Sequence, residues 1–409
     1  MTLHAPTRRE LLLGSGVLFA WSYLPELARA EGRDPRLLVI VLRGALDGLA
    51  AVAPVRDPDW PSLRGEKGLG GATPGLPLDS FFALNPAMPN VHRLYQSKAA
   101  TIVHAVATPY RERSHFDGQD VLESGYGAPG TADTGWLNRA LLTVKPEGRA
   151  NGANREAFAV GPIAPLVVRG PAPVLSWTPQ RLPATSDDTL MRVLDLYRHS
   201  DLALARALEE RVGLAKIARA SGMDGEQART PGPVQVRAYF TEAAASAARF
   251  LARPDGPRIG ALAFDGWDTH ADEGPVNGRL ATLLGALDGA VAAAESELKE
   301  AWRETVVVVI TEFGRTARIN GTEGTDHGTA TVALLAGGAL NGGRVIADWP
   351  GLKPANLHEG RDLKPTTDLR AVLKGLLKDH LRIDEAALAA KVFPDSGRVK
   401  PMRDLLAHA

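Results

Sequence analysis

Apolar residues fall along this chain in short unbroken runs, separated by longer stretches where they recur every three or four positions. Leu37 to Leu42 is one such run, closed by Arg36 on one side and Arg43-Gly44 on the other. Ala100 to Ala107, Ile259 to Phe264, Thr305 to Ile310 and Thr331 to Leu335 repeat the pattern. Runs of this length without polar alternation predict strands covered on both faces. Leu284, Leu287, Val291 and Leu298 lie close to one stripe and predict a helix from about Pro275 to Trp302, leading directly into the valine strand. Strand, helix, strand in that order predicts parallel pairing with right-handed crossovers. The chain is therefore expected to be α/β, a large and mostly parallel sheet sandwiched by helices, with ligand sites in loops at the carboxyl ends of strands.

Two stretches depart from this rhythm. Residues 145–255 read as an insertion. It is Pro/Gly-rich from Lys145 to Gln180, with short apolar pieces such as Leu166-Val167-Val168, and from Asp187 to Leu251 it reads as two or three helices, with Glu209, Glu210 and Arg211 on a solvated face. At the other extreme, Arg8-Arg9 precede the apolar run Leu11 to Phe19, and Ala28-Arg29-Ala30 has the small-x-small pattern of a cleavage site. Residues 1–30 thus read as a twin-arginine export signal, too short in its apolar part to span a membrane. Residues 31–409 are expected to form one domain in the periplasm or outside the cell, with no membrane span after cleavage.

Composition narrows the chemistry. Lys plus Arg equals Asp plus Glu at 47 each in 409 residues, so the formal net charge is zero and nothing favours a nucleic-acid partner. The absence of cysteine excludes disulfides, thiolate metal sites, iron–sulfur clusters and cysteine nucleophiles. Any metal must bind through nitrogen and oxygen.

Ionisable residues gather where the apolar runs stop. After the first run, Arg43-Gly44-Ala45-Leu46-Asp47-Gly48 sets an aspartate between glycines, where it is either an oxygen ligand or a turn aspartate bonded to its own backbone. After the second, Arg113-Ser114-His115-Phe116-Asp117 leads into a helix. There Ser114 is a cap, or a hydroxyl set beside free N–H groups that favour an anion, with Arg111 and Arg113 near. Gly266-Trp267-Asp268-Thr269-His270 follows the third, and in an extended segment Asp268 and His270 share a face, as a carboxylate–imidazole pair for a divalent cation would. Thr311-Glu312-Phe313-Gly314-Arg315-Thr316 offers Glu312 either as a ligand or as the ion-pair partner of Arg315. Gly324-Thr325-Asp326-His327-Gly328 again flanks ionisable groups with glycine. Three of the ten histidines, His115, His270 and His327, fall in these junctions.

Together with Leu42-Arg43-Gly44-x-x-Asp47-Gly48, these motifs resemble the twin-arginine-exported family known as domain of unknown function 1501, over nearly the whole mature chain. More remotely, the order of the junctions is similar to that of the alkaline phosphatase and sulfatase superfamily, whose members hold one or two divalent metals around a Ser, Thr or formylglycine nucleophile. The resemblance implies an alkaline-phosphatase-like fold. It also implies that Asp47, Asp268, His270, Glu312 and His327 are metal ligands, with zinc, manganese, iron or calcium as the cation. Ser114 matches the nucleophile at a helix start, and Arg113 or Arg315 would balance charge on a phosphate or sulfate ester. Phe313 stands where the superfamily commonly has histidine, and phenylalanine cannot coordinate. The expected activity is hydrolysis of a small anionic ester. The alternatives are a non-catalytic scaffold that binds a cell-envelope ligand, and a hydrolase of another bond using metal-bound water, with Glu312 as base and Ser114 only as a cap.

Overall fold

The computed structural model describes residues 33–70, 73–130, 132–144, 157–160, 164–177, 233–254 and 256–407, with the single positions 194, 197 and 205. The expected export signal at residues 1–30 and most of the helical part of the insertion, including Glu209, Glu210 and Arg211, lie outside the described residues. In chain order the strands are β1 (Arg36–Arg43), β2 (Val52–Ala53), β3 (Leu76–Pro77), β4 (Ala83–Leu84), β5 (Ala100–Ala107), β6 (Ala157–Val160), β7 (Val174–Trp177), β8 (Ile259–Asp265), β9 (Thr305–Thr311), β10 (Thr331–Ala336), β11 (Arg344–Ile346) and β12 (Thr367–Asp368). The helices used below are α1 (Gly48–Ala51), α2 (Trp60–Arg64), α3 (Pro89–Gln96), α4 (His115–Ser124), α5 (Trp136–Thr143), α6 (Pro233–Ala252), α7 (Arg279–Leu298) and α8 (Leu369–Leu381).

The main sheet runs β11-β5-β10-β9-β1-β8-β6-β7, with β12 also on β5, while β2, β4 and β3 form a small antiparallel sheet. The sequence of β1, RLLVIVLR, explains its central place. Leu38, Ile40 and Leu42 point to one face, into a core shared with Phe240 and Leu251 of α6, Leu284 and Leu287 of α7 and Val91 of α3. Leu37, Val39 and Val41 point to the other, against Trp136 of α5 and Val372 and Leu376 of α8. Each such side chain contributes about 1.5–3 kcal/mol when fully buried, and both faces need it covered. A continuous aliphatic run can satisfy both. An alternating one cannot.

The five long runs all form strands of this sheet, and three differences from the sequence reading matter. First, β10 is antiparallel to both β9 and β5, while β1 pairs in parallel with β8 and β9. No helix separates β9 from β10. The chain turns back in residues 312–330 and re-enters the sheet at the rim it left, which only an antiparallel strand can do. Second, the Pro/Gly-rich part of the insertion supplies β6 and β7, which extend the sheet beyond β8 in parallel. Third, the predicted helix at 275–302 is regular only over Arg279–Leu298, then tightens into 3₁₀ turns at Lys299–Glu304 before β9. Among the described residues no helix is long and apolar enough to cross a membrane.

Candidate metal centre

Four segments meet at the rim where β1, β5, β8 and β9 end. His115 opens α4 after β5, and Asp268 and His270 follow β8. Glu312, Arg315 and His327 lie on the excursion between β9 and β10, an irregular hairpin in which Arg315 pairs with His327 across a single bridge. Close backbone packing brings the segments into register. Gly44 has φ of +118°, and a Cβ there would stand 2.5 Å from the Asp268 amide nitrogen and 2.9 Å from Trp267. A Cβ on Gly324 would stand 2.3 Å from the carbonyl of His270. Only glycine admits these approaches.

The imidazoles are oriented alike. Nδ1 of His115 lies 2.9 Å from Glu312 Oε1, Nδ1 of His327 lies 2.9 Å from the Arg113 carbonyl, and Nδ1 of His270 lies 3.5 Å from Asp326 Oδ1. An acceptor at Nδ1 keeps the proton there and leaves the lone pair on Nε2. All three Nε2 atoms face one oxygen, Asp268 Oδ1, at 3.4 Å from His115, 3.3 Å from His327 and 3.1 Å from His270. The Nε2 atoms of His270 and His327 stand 2.9 Å apart. That contact is a hydrogen bond when one of the rings carries its proton on Nε2, and with both protons on Nδ1 it sets two lone pairs where a cation can take them. The buried Nε2 of His115 makes no hydrogen bond and meets Asp268 Oδ1 only as an ion-pair contact at 3.4 Å. The donor atoms of His115, Asp268 and His327 lie within 4.8 Å of one another. Donors about 2.0–2.2 Å from a tetrahedral ion stand about 3.3–3.6 Å apart, so the residues present fit a divalent metal.

The local electrostatics tie the imidazoles to two carboxylates. Burial opposes a charged His115, but the carboxylates of Asp268 and Glu312 outweigh it and lift the imidazole to about 9. Burial pushes His270 below its usual value, and Arg315 and His327 add to that against Asp268. Burial also works to raise Asp268, yet His115, His327 and Arg315 hold it well below the carboxylate range. Glu312 likewise stays below its usual value despite complete burial, held there by His115 and Gln119. The two imidazoles therefore differ in charge at neutral pH, His115 held protonated by its carboxylates and His270 neutral through burial, and a metal must displace the proton of His115 to bind there. The centre is reached from the side of His270 and Asp268, whose side chains are 46% and 39% exposed.

Of the residues singled out in the sequence, Asp268, His270 and His327 converge, and His115, which was not assigned as a ligand, joins them. His115 occupies the first turn of α4, where a histidine after a serine reads as part of a cap. Its only sequence signal was membership of the Gly/Asp-rich junctions. Glu312 is in contact with the group but faces it through His115. Its Oε1 also accepts from Gly44 N and Gln119 Nε2, each at 2.8 Å, and its Oε2 accepts from the Thr311 hydroxyl. Asp47 is placed elsewhere. It caps α1 through Leu49 N and Ala50 N and accepts from both terminal nitrogens, Nη1 and Nη2, of the buried Arg64 guanidinium, at 2.5 and 3.1 Å. Arg64 in turn donates to the carbonyls of Thr316 and Ala317, so Asp47 braces the excursion from beneath. Arg315 lies 2.6 Å from Asp268 Oδ1 and is buried. Arg113 is bound by Asp362 and Glu359. Ser114 precedes His115, and its side chain makes no capping bond. Phe313 stacks on His115 with ring centroids 5.0 Å apart and walls the imidazole with apolar surface. Behind the centre Glu273, bonded to Thr269 and Thr325, is pushed up to about 8 by burial and by the charge of Asp47.

The chain belongs to the DUF1501 family, described as proteins of unknown function, whose model matches residues 94–393. No curated protein matches the sequence. Among solved structures it is similar to Ps i-CgsB in complex with k-i-k-neocarrahexaose, at 11% identity and a TM-score of 0.43, covering 90% of this chain and 77% of that one. It is also similar to PsFucS1 sulfatase from Pseudoalteromonas sp., at 13% identity and 0.40 over 98% and 76% of the two chains. A third is phosphonate monoester hydrolase of Agrobacterium radiobacter, at 12% identity and 0.34 over 86% and 74%.

Proposed function

We propose that this protein is an exported, metal-dependent hydrolase of small phosphate or sulfate esters, working in the periplasm or outside the cell after twin-arginine export. The observation that carries the reading is the convergence of three imidazole Nε2 atoms on one carboxylate oxygen at a solvent-accessible strand-end rim. His115, Asp268 and His327 would hold the ion, with His270 beside them, and zinc, manganese, iron and calcium all accept such nitrogen and oxygen donors to differing degrees. When bound, the ion supplies a Lewis acid for an ester oxygen.

The chain supplies the rest. Ser114 carries the candidate nucleophilic oxygen at the start of α4, where the free N–H groups of the first turn and the positive end of the helix favour an anion. Phe313 keeps water from the buried side of His115. Arg315 holds Asp268 in place. Because the forks of Arg113 and Arg315 are committed to carboxylates and a carbonyl, charge on the ester falls to the ion and the helix end. The test is elemental analysis of protein purified without chelator, followed by turnover of phosphate and sulfate monoesters. Ser114→Ala is expected to lower kcat by on the order of 10³-fold or more while leaving metal content unchanged. Full activity in that variant would remove the serine from the reaction.

A second reading has its own support. His270 Nε2 lies 2.9 Å from His327 Nε2 and 3.1 Å from Asp268 Oδ1, and a small movement of this exposed side chain would add a fourth donor and close the site as structural sites are closed. Stoichiometric metal without turnover of any ester would favour a binding scaffold for a cell-envelope ligand.

A further inference from the structure

We propose that Asp362 is a positioning residue of the metal centre, fixing the tautomer and orientation of His327 through Arg113. The inference rests on the metal reading above and extends it to a segment with no ligand in it. Residues 358–362 form a tight turn in which His358 and Asp362 exchange backbone hydrogen bonds, at 2.8 and 3.0 Å. The Asp362 carboxylate is fully buried. Its Oδ2 accepts from Nε of Arg113 at 2.9 Å, with Nη2 at 2.8 Å, and its Oδ1 accepts from Arg361 Nε at 2.9 Å. A carboxylate taken out of water in this way is tolerated because two guanidinium groups neutralise it.

Both guanidinium groups lead to His327. Arg113 adopts φ of +60°, a conformation that a non-glycine residue keeps only when its surroundings hold it there. In that conformation its carbonyl receives the Nδ1 of His327 at 2.9 Å. Arg361 donates to the main-chain carbonyl of His327 itself. The turn therefore grips His327 at its ring and at its backbone, while Thr316 pairs with Asp362 and ties the turn to the same hairpin. Releasing the Arg113 fork frees the strained backbone to relax, moves the carbonyl from Nδ1 and leaves either ring nitrogen free to carry the proton. Glu359 binds the same guanidinium at 2.6 Å but is exposed, so water replaces it at little cost.

The test compares full-length wild type with Asp362→Asn, Arg113→Lys and Glu359→Gln. In metal-free protein, long-range ¹H–¹⁵N correlations at alkaline pH report which nitrogen of His327 is protonated. Wild type and Glu359→Gln are expected to show Nδ1–H, and Asp362→Asn a mixture or Nε2–H. Arg113→Lys keeps the charge and loses the fork, and is expected to shift in the same direction, which decides the matter if Asp362→Asn does not fold. Titration with cobalt(II), followed by its visible absorption, is expected to weaken about 10–100-fold in Asp362→Asn and less than about twofold in Glu359→Gln. Retention of Nδ1–H by both Asp362→Asn and Arg113→Lys would overturn the proposal. Failure of wild type to take up cobalt would overturn the metal reading, and the tautomer comparison would still decide the role of Asp362.

Discussion

A proton and a metal ion compete for the Nε2 of His115. In the metal-free protein Asp268 and Glu312 lift this imidazole to about 9 from its ordinary 6.5. The stability gained from its charged form is therefore complete below about 6.5 and is lost as pH rises through about 9. Asp268 and Glu312, both held below their ordinary values, act in the opposite sense, and their contribution is lost only on acidification. Denaturation midpoints of chelator-treated protein are thus expected to fall between pH 6.5 and 9, and metal affinity to rise over the same interval as the competing proton leaves. A midpoint flat across that interval would show that His115 does not face the two carboxylates. Glu312 is the reason His115 presents Nε2 at all, because the three donors on its Oε1 leave the imidazole one geometry.

At the level of elements, the spacing of the centre depends on the contact between the end of β1 and the segment after β8. Gly44→Ala places a methyl group 2.5 Å from the Asp268 amide, against backbone that cannot turn aside, at a φ of +118°. The expected cost is about 1–3 kcal/mol in urea unfolding, with a loss of metal affinity as Asp268 is displaced. Gly321→Ala, where a Cβ meets nothing within 4 Å, is expected to stay within about 0.5 kcal/mol of wild type. Equal stability and metal content in the two variants would remove this contact from the account. The same contact explains what the sequence made legible. Strands such as β1 and β9 announce themselves because burial on both faces demands unbroken aliphatic runs, and glycine beside an ionisable residue marks a junction under close packing. β6 and β7 were hidden because their apolar runs, AFAV and VLSW, are only four residues long and sit in Pro/Gly-rich sequence. The direction of β10 was hidden because polarity depends on what connects two strands, and residues 312–330 contain no periodic pattern. Arg64 and Asp362 were hidden for another reason. Each acts through a partner far away in sequence, and no local spacing records a tertiary ion pair.

At the scale of the whole molecule, a metal at this centre ties residue 115 to residues 268–270 and 327, segments brought together only in the folded state. Binding there is folding free energy, and at a free metal concentration 100 times the dissociation constant it adds about 2.7 kcal/mol. Thermal unfolding is expected to shift upward on metal addition and to return with chelator, and the shift should be absent in a His115→Ala/His327→Ala double variant. A double variant that responds like wild type would place the metal elsewhere.

The reversed strand β10 has one further effect. Since the polypeptide departs and returns along a single edge, the intervening 312–330 segment is anchored at both ends by the ladder. Extra residues grafted at Gly321 itself, where a side chain meets nothing within 4 Å, would reshape the mouth of the cleft and leave every rung between β9 and β10 in place, so long as Asn320 and Glu323 on either side keep their hold on the strand-end segment that carries His270.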